Sequence, residues 1–126
     1  YSFVSYTVMN VEGFAKRFDE VDAMPLEGGG FIRWLITHRD GAPTFSMRLI
    51  NVPKGKSTPA HSHDYEHEIF IIEGEGIATI GNKNFKISKD FFLFIPGENY
   101  HTIKAETDIK MICIVPIKAA IDILGK

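Results

Sequence analysis

Short apolar runs alternate with polar turns along most of the chain, and this pattern predicts strands. Runs rich in branched and aromatic residues occupy positions 44–52, 67–73, 77–80, 84–88, 91–96, 101–105 and 109–116. Glycine, proline and asparagine separate the runs, as in "PKGKSTP" and in "GNK", which is typical of a hairpin. At least seven strands between positions 31 and 116 indicate an all-β sandwich or barrel. Because "FFLFIP" (91–96) is continuously apolar, we expect that strand to be covered on both faces.

The two ends of the chain carry a different pattern. Segment 11–21, "VEGFAKRFDEV", predicts a short amphipathic helix, which Gly13 weakens. Segment 117–124 predicts a last helix with Gly125 at its C-terminal end, and "PLEGGG" (25–30) indicates a flexible connection. We therefore expect an N-terminal arm over 1–30, a barrel over 31–117 and a C-terminal helix over 118–126.

Composition restricts the classes of function. The 126 residues suffice for one domain. A net charge of −2 without a basic stripe disfavours nucleic-acid binding, and no apolar run is long enough to span a membrane. The first ten residues lack a basic region and a long apolar stretch, so we expect no signal peptide and a cytoplasmic protein. Cys113 is the only cysteine, which excludes an intrachain disulfide.

Three of the five histidines lie within seven positions, in "HSHDYEH" (61–67). On an extended chain His61 and His63 face the same side, and His67 returns to that side if "DYE" is extended or bulged. A divalent metal binds neutral imidazole nitrogens at roughly 2.0–2.2 Å and would satisfy all three rings. We expect His101 to be the fourth ligand, because it follows an apolar strand and a Pro-Gly turn that would bring it back across the sheet.

Two acidic residues compete with His67 for the ligand position. Glu66 and Glu68 flank it, and periodicity does not choose between them, because both faces of the run 67–73 are apolar. The spacing from His63 favours His67. The two glutamates would then be solvated acids or groups that orient a ligand, and solvation is our expectation for both.

Other polar and aromatic residues receive simpler interpretations. Arg33, Trp34 and Arg48 could contact an anionic substrate, although surface pairing is the expected role. His38 is expected at the surface with a hydrogen-bond partner, and Cys113 as a small buried apolar residue. We expect interior packing for Phe45, Met47, Leu49, Phe92, Phe94 and Ile114, and packing also for Tyr65 and Tyr100.

Two segments resemble the paired motifs of the cupins, a family of jelly-roll (double-stranded β-helix) barrels. "GKSTPAHSHDYEHEIFIIEG" (55–74) is similar to the first motif, and "DFFLFIPGENYH" (90–101) to the second. The residues that fall on the family spacing are Gly55, His61, His63, His67 and Gly74 in the first motif and Pro96 and His101 in the second. Together the two motifs are a specific signal.

The chain also departs from the family pattern. His67 stands where the usual ligand is Glu, and Ala105 where an asparagine is expected. In the second motif Asp90 stands at the first glycine position, and Gly97 lies one place early. The similarity extends to "DGAPTFSMRLINVPKG" (40–55) and covers roughly residues 30–117. This combination resembles small, single-domain, four-histidine cupins that bind manganese.

The resemblance implies one divalent metal ion per chain, held by the four histidines. It suggests manganese, while nitrogen ligands alone are compatible with iron, nickel, zinc or copper. It also implies a small-molecule ligand or substrate and a homodimer, with the N-terminal "YSFVSYTV" (1–8) crossing to the partner subunit. Helical segments would be confined to the two ends of the barrel.

Three functions are compatible with such a site. The first is an oxidoreductase of the dioxygenase type, because four ligands on an octahedral ion leave two positions for oxygen and a substrate. The second is a non-catalytic binding or sensory module for a small molecule. The third is a sugar or sugar-phosphate isomerase, for which Lys54 and Lys56 would have to supply the cationic groups. No catalytic residue beyond the metal ligands is assigned.

Overall fold

The computed structural model describes residues 11–126. Its strands are β1 (Met24–Pro25), β2 (Phe31–Ile36), β3 (Phe45–Val52), β4 (His67–Glu73), β5 (Glu75–Ile80), β6 (Lys83–Ser88), β7 (Phe92–Ile95), β8 (His101–Ala105) and β9 (Ile109–Pro116). Its helices are α1 (Ile117–Leu124) and two 3-10 turns, Phe18–Glu20 and His38–Asp40. The all-β fold and the positions of the predicted strands are confirmed.

The strands form two antiparallel sheets. One has six strands in the order β1-β2-β3-β9-β4-β7, and the other has three in the order β6-β5-β8. Because strands that are distant in sequence lie side by side in the larger sheet, the architecture is a jelly roll. It is an open β-sandwich and not a closed barrel, which agrees with the predicted jelly-roll class.

Side chains alternate between the two faces of the six-stranded sheet. Along β4, His67, Ile69 and Ile71 are buried between the sheets, while Glu68 and Phe70 are exposed. The inward residues of β9 are Ile109, Met111, Cys113 and Val115. Helix α1 adds Ala119 and Ala120 to the same core. The inner face of the sheet is thus the wall on which a site can be built.

The predicted packing of three phenylalanines is wrong. Phe45, Phe92 and Phe94 are 67%, 81% and 57% exposed, whereas Leu93 and Ile95 of the same strand β7 are buried. Strand β7 is therefore covered on one face only, because no described element packs against its outer face. Of the other residues in this group, Leu49 is buried as expected, and Met47 and Ile114 are partly buried.

Both predictions for the N-terminal region need correction. Segment 11–21 forms only the 3-10 turn Phe18–Glu20, because Phe18 packs beneath the cations of Arg33 and Lys110 rather than along a helix face. Segment 25–30 is not a flexible connection but the turn of the β1–β2 hairpin. There the Leu26 amide donates to the Gly30 carbonyl at 2.8 Å. Residues 1–8 lie outside the described part of the chain.

The C-terminal helix is confirmed over Ile117–Leu124, and the Gly125 amide donates to the Ile121 carbonyl at its end. His38 lies beside this end, with its Nε2 2.6 Å from the Gly125 carbonyl oxygen, which confirms the expected hydrogen bond. Within residues 11–126 no helix is long and apolar enough to cross a membrane.

Candidate metal centre

Two segments distant in sequence meet through their backbones. The His61 amide donates to the His101 carbonyl at 3.3 Å, and the His101 amide donates to the His61 carbonyl at 2.9 Å. Nearby, the Glu98 amide donates to the His63 carbonyl at 2.6 Å. A Cβ at Gly97 would lie 2.6 Å from the Asp64 carbonyl oxygen, so only glycine permits this approach. The loop before β8 is thereby fixed against the loop before β4.

The structure brings all four histidine rings of the predicted site into one cluster. Ring centroids are 4.9 Å apart for His61–His63, His61–His101 and His63–His101, 4.6 Å for His63–His67 and 4.8 Å for His67–His101. One ring nitrogen each of His61, His63 and His101 lies within 4.8 Å of the others. The Nε2 atoms of His63 and His67 are 2.8 Å apart.

These distances suit a single metal ion. Two nitrogens bound at right angles to one ion at about 2.1 Å lie about 3.0 Å apart, close to the separation of the His63 and His67 Nε2 atoms. The cluster is therefore compatible with a divalent metal site. The role of each histidine as a ligand stays a prediction.

Backbone carbonyls fix the tautomers of two rings. The Nδ1 of His63 lies 3.1 Å from the Tyr65 carbonyl oxygen, and the Nδ1 of His101 lies 2.8 Å from the Asn99 carbonyl oxygen. A carbonyl only accepts, so each Nδ1 carries the proton and each Nε2 presents a lone pair. The Nε2 of His101 is buried with no hydrogen-bond partner among residues 11–126, and a metal ion would satisfy its lone pair.

His67 has different neighbours. Its Nδ1 lies 3.2 Å from the Cys113 sulfur and 2.9 Å from Nη2 of Arg48. A proton on Nδ1 can be donated to the sulfur, which leaves Nε2 free for a metal. A guanidinium only donates, so a hydrogen bond from Arg48 requires the opposite tautomer. The metal-binding tautomer of His67 is thus the one that donates to Cys113.

The environment keeps the histidines neutral. Burial, and then the charge of Arg48, lowers the pKa of His67 to about 2. Burial followed by the neighbouring His101 lowers the pKa of His63 to about 4. Burial is also the main reason that the pKa values of His61 and His101 are lowered. Protons therefore do not compete with a metal for these nitrogens at neutral pH.

The cluster lies beside a cavity of about 210 Å³ between the two sheets. Its walls are mostly apolar, and Arg48 is the one charged side chain among the described residues that line it. The other lining residues used below are Trp34, Ile50, Tyr65, Ile69, Met111 and Cys113. Glu66 and Glu68 are exposed and do not line it, which agrees with the expectation that they are solvated. Compared with about 30 Å³ per water molecule, the cavity has room for a small organic molecule.

Arg48 is where the sequence interpretation fails most clearly. Expected at the surface, it is only 6% exposed, and its guanidinium carbon lies 5.1 Å from the ring centroid of Trp34. Residues 46, 48, 50 and 52 share the buried face of β3. The opposite face carries Phe45, Met47 and Leu49 and is the more apolar of the two, so the sequence pattern favoured burial of the wrong face.

Tyr65 packs against the core as expected but also contacts the cluster, Arg33 is paired as expected, and Tyr100 packs less than expected. Tyr65 stacks on His63 at 3.9 Å between ring centroids and lines the cavity, because residues 62–66 form a loop and not a strand. Arg33 donates from Nε to the Val21 carbonyl at 2.9 Å, so it pairs within the protein. Tyr100 remains about half exposed.

The unusual residues of the second motif have a conformational consequence. Asp90 has a φ of 74° and Glu98, one residue after Gly97, has a φ of 68°. Both lie in the left-handed region, which favours glycine. The fold therefore requires at these two positions the backbone geometry that glycine would supply, although acidic residues occupy them.

An antiparallel jelly roll with clustered imidazoles beside an apolar cavity defines a class of small-molecule and metal-binding folds. A family model described as "Cupin domain" matches residues 48–115, which include both motifs and Arg48. The chain belongs to the cupin family.

Relatives with known sequence or structure agree with this fold. The uncharacterized protein MJ1618 of Methanocaldococcus jannaschii is 34% identical over 65 residues, which cover 49% of this chain and 52% of that protein. The chain thus matches about half the length of this curated relative. The polyketide cyclase RemF of Streptomyces resistomycificus has a TM-score of 0.75 at 24% identity, covering 84% of this chain and 80% of that chain. Ectoine synthase of P. lautus has a TM-score of 0.72 at 21% identity, covering 82% and 77%.

Proposed function

We propose that the protein binds one divalent metal ion through His61, His63, His67 and His101. We further propose that it acts on a small organic substrate in the adjoining cavity, as an oxidoreductase of the dioxygenase type. The observation that supports this most is the meeting of four neutral imidazoles at an apolar cavity whose lining, within residues 11–126, includes no carboxylate. Manganese is the metal that the resemblance to four-histidine cupins suggests.

Different residues of the chain would orient the metal ligands and shape the substrate cavity. A metal ion held by the four histidines would supply Lewis-acid and redox chemistry. The carbonyls of Tyr65 and Asn99 hold His63 and His101 with their Nε2 lone pairs free. The apolar walls, including Ile50 and Ile69, exclude water and position a largely apolar substrate.

Non-catalytic binding is the second candidate. Among the described lining residues there is no carboxylate or lysine that could transfer a proton to or from a ligand. This lining also gives no support to the isomerase, because Lys54 and Lys56 are exposed and lie outside the cavity. An isomerase would need both a base near the metal and cations for a phosphate.

Oxygen consumption separates the first candidate from the second. Untagged protein loaded with manganese or iron would be mixed with a panel of aromatic and alkene carboxylic acids in an oxygen electrode, after elemental analysis of its metal content. We expect about one metal ion per chain and substrate-dependent oxygen uptake, both lost in His101→Ala and retained in His38→Ala, which lies outside the cluster. A metal-loaded protein that returns every compound unchanged would contradict the dioxygenase and favour a binding module.

We also infer that two copies associate through the outer face of the six-stranded sheet. Two cross-strand rows run over β3, β9, β4 and β7. The rows are Met47–Ile114–Glu68–Phe94 and Leu49–Ile112–Phe70–Phe92. Several of these apolar side chains are exposed, as is the neighbouring Phe45, and such a patch typically marks an interface. The homodimer implied by the family resemblance would cover it.

A further inference from the structure

Arg48 is a buried cation in the wall of the cavity. It lies on the inner face of β3, where it pairs across the sheet with Trp34 on β2 and Cys113 on β9. Only 6% of the residue is exposed, and its guanidinium packs against the indole of Trp34. A charged side chain in this position is rare unless it is paired.

The described part of the chain supplies no counter-charge for this cation. No carboxylate lies within ion-pair distance of Arg48 among residues 11–126. Its two hydrogen bonds both leave from Nη2, towards the His67 ring at 2.9 Å and the Cys113 sulfur at 2.8 Å. Both partners are weak or neutral acceptors, and the Nε of Arg48 is buried without a hydrogen-bond partner in the described part of the chain.

A metal ion would increase this imbalance. Four neutral imidazoles leave the charge of a divalent ion uncompensated, and the ion would lie on the other side of the His67 ring from Arg48. Burying unpaired charge is costly, so the cavity favours any anion that reaches it. The apolar remainder of the lining favours an anion with an apolar body.

We propose that Arg48 is an anion-binding residue of the cavity, and that it binds the carboxylate of a small, largely apolar carboxylic acid. A planar guanidinium matches a carboxylate in shape and can donate two parallel hydrogen bonds to it. Inorganic phosphate fits less well, because it carries more charge and needs more donors than one guanidinium offers. The inference deepens the proposed function, since it names the substrate class, and it rests on that function for taking the cavity as the substrate site.

The fluorescence of Trp34 provides a direct readout, because it is the only tryptophan and it lies against Arg48. Cyclohexanecarboxylate and its neutral analogue cyclohexanecarboxamide would be titrated into metal-free and metal-loaded protein, with calorimetry as a second measurement. In metal-free protein we expect the carboxylate to bind at least tenfold more tightly than the amide, which is a difference of about 1.4 kcal/mol in binding free energy. Inorganic phosphate should bind at least tenfold more weakly than the carboxylate.

Three variants test the assignment. Arg48→Met should lose the preference for the carboxylate and keep its affinity for the amide within about twofold, whereas Arg48→Lys should retain part of the preference. Arg33→Met is the matched control, because Arg33 pairs with a backbone carbonyl outside the cavity, and it should behave as the unaltered protein. Circular dichroism and thermal unfolding would verify that each variant is folded.

These measurements test the role of Arg48 separately from the proposed metal binding. A carboxylate preference that persists in Arg48→Met, or that is absent from the unaltered protein, would overturn the role of Arg48. Metal content measured on the same samples tests the proposed function separately. If no metal binds but the preference is present and depends on Arg48, the proposed metal chemistry fails while the anion site stands.

Discussion

The two faces of the six-stranded sheet invert the usual distribution of polar and apolar side chains. The inner face carries Arg48 and His67, both nearly fully buried, whereas the outer face carries Phe92 and Phe94, both largely exposed. These side chains belong to one sheet and differ mainly in the face to which the pleat directs them. Interior polar groups and exterior aromatic groups each carry a cost in an isolated domain. This inversion is the observation behind our proposals that a small ligand binds at the inner face and a second copy of the chain at the outer face.

Packing on the inner face should contribute most of the stability. A substitution there is therefore expected to have the largest effect on the free energy of unfolding. Ile71 is 0% exposed, so Ile71→Ala should lower the free energy of unfolding by about 2–5 kcal/mol. Phe92 is 81% exposed, so Phe92→Ala should change it by about 0.5 kcal/mol or less. Urea denaturation at a protein concentration low enough to keep the chain monomeric would measure both. Equal losses would mean that the two faces are not distinct in packing.

Metal binding should stabilise the protein through the histidine cluster of the inner face. At a free metal concentration of about one hundred times the dissociation constant, the free energy of unfolding should rise by about 2.7 kcal/mol, because the ion binds only the folded cluster. Thermal unfolding with and without manganese or zinc, and after chelation, measures the gain.

The His101→Ala variant should lose this metal-dependent gain, because it removes the buried Nε2 of His101. Within residues 11–126 this nitrogen has no hydrogen-bond partner and is free to bind a metal. The control Glu68→Ala alters an exposed residue of the outer face and should retain it. Full stabilisation of His101→Ala would contradict the ligand assignment.

Self-association should depend on the outer face alone. Phe92→Lys and Phe94→Lys place charges among the most exposed apolar side chains of the outer face, at the β7 end of the two rows, so each should raise the dimer dissociation constant at least tenfold. Phe85→Lys is the matched control, because Phe85 is 45% exposed but belongs to β6 in the other sheet. Light scattering over a dilution series gives the mass. A chain that is monomeric at every concentration before mutation would refute the dimer.

Low pH should destabilise the metal-free protein, because the histidines of the inner face resist protonation in the folded state. The folded pKa of His63 is lowered to about 4 and that of His67 to about 2, while unfolded histidines take up protons below about 6.5. The unfolded state therefore binds more protons below pH 6.5, and the stability present above that pH should be lost as the pH falls towards 4. Each such proton contributes a slope of about 1.4 kcal/mol per pH unit.

Denaturation curves at several pH values would give this slope. Replacing His67 by Gln should make the curve flatter, while His38→Gln, outside the cluster, should leave it unchanged. A stability that does not vary between pH 7 and pH 4 would contradict the neutral, buried state of the cluster.

The smallest expected effect concerns the loop that brings the two motifs together. Glu98 has a φ of 68°, so Glu98→Gly should relieve backbone strain and raise the free energy of unfolding by up to about 1 kcal/mol. Glu106→Gly replaces an exposed glutamate with ordinary backbone geometry and should lower stability instead. Thermal unfolding of both variants provides the test, and a loss of stability in Glu98→Gly would show that its side chain matters more than its backbone.

Local sequence patterns predicted most strands because each depends on neighbouring residues. The run 67–73 became β4 and 101–105 became β8 without adjustment. The predicted helix over 11–21 failed for a non-local reason, since Phe18 packs against the side chains of Arg33 and Lys110. The connection at 25–30 is ordered by pairing with strand β2, which likewise depends on residues outside it.

The sequence by itself determined the fold class and the candidate site, because the spacing of histidines, glycines and prolines in the two motifs is a property of the chain alone. The tertiary structure decided which face of each strand is buried. Runs 67–73 and 91–96 are apolar on both faces, and in run 45–52 the face that contains Arg48 is the more polar one, so periodicity could not show that Arg48 points inward and Phe92 outward. That choice depends on which sheet, helix or solvent lies against each face, and those neighbours come from distant parts of the chain.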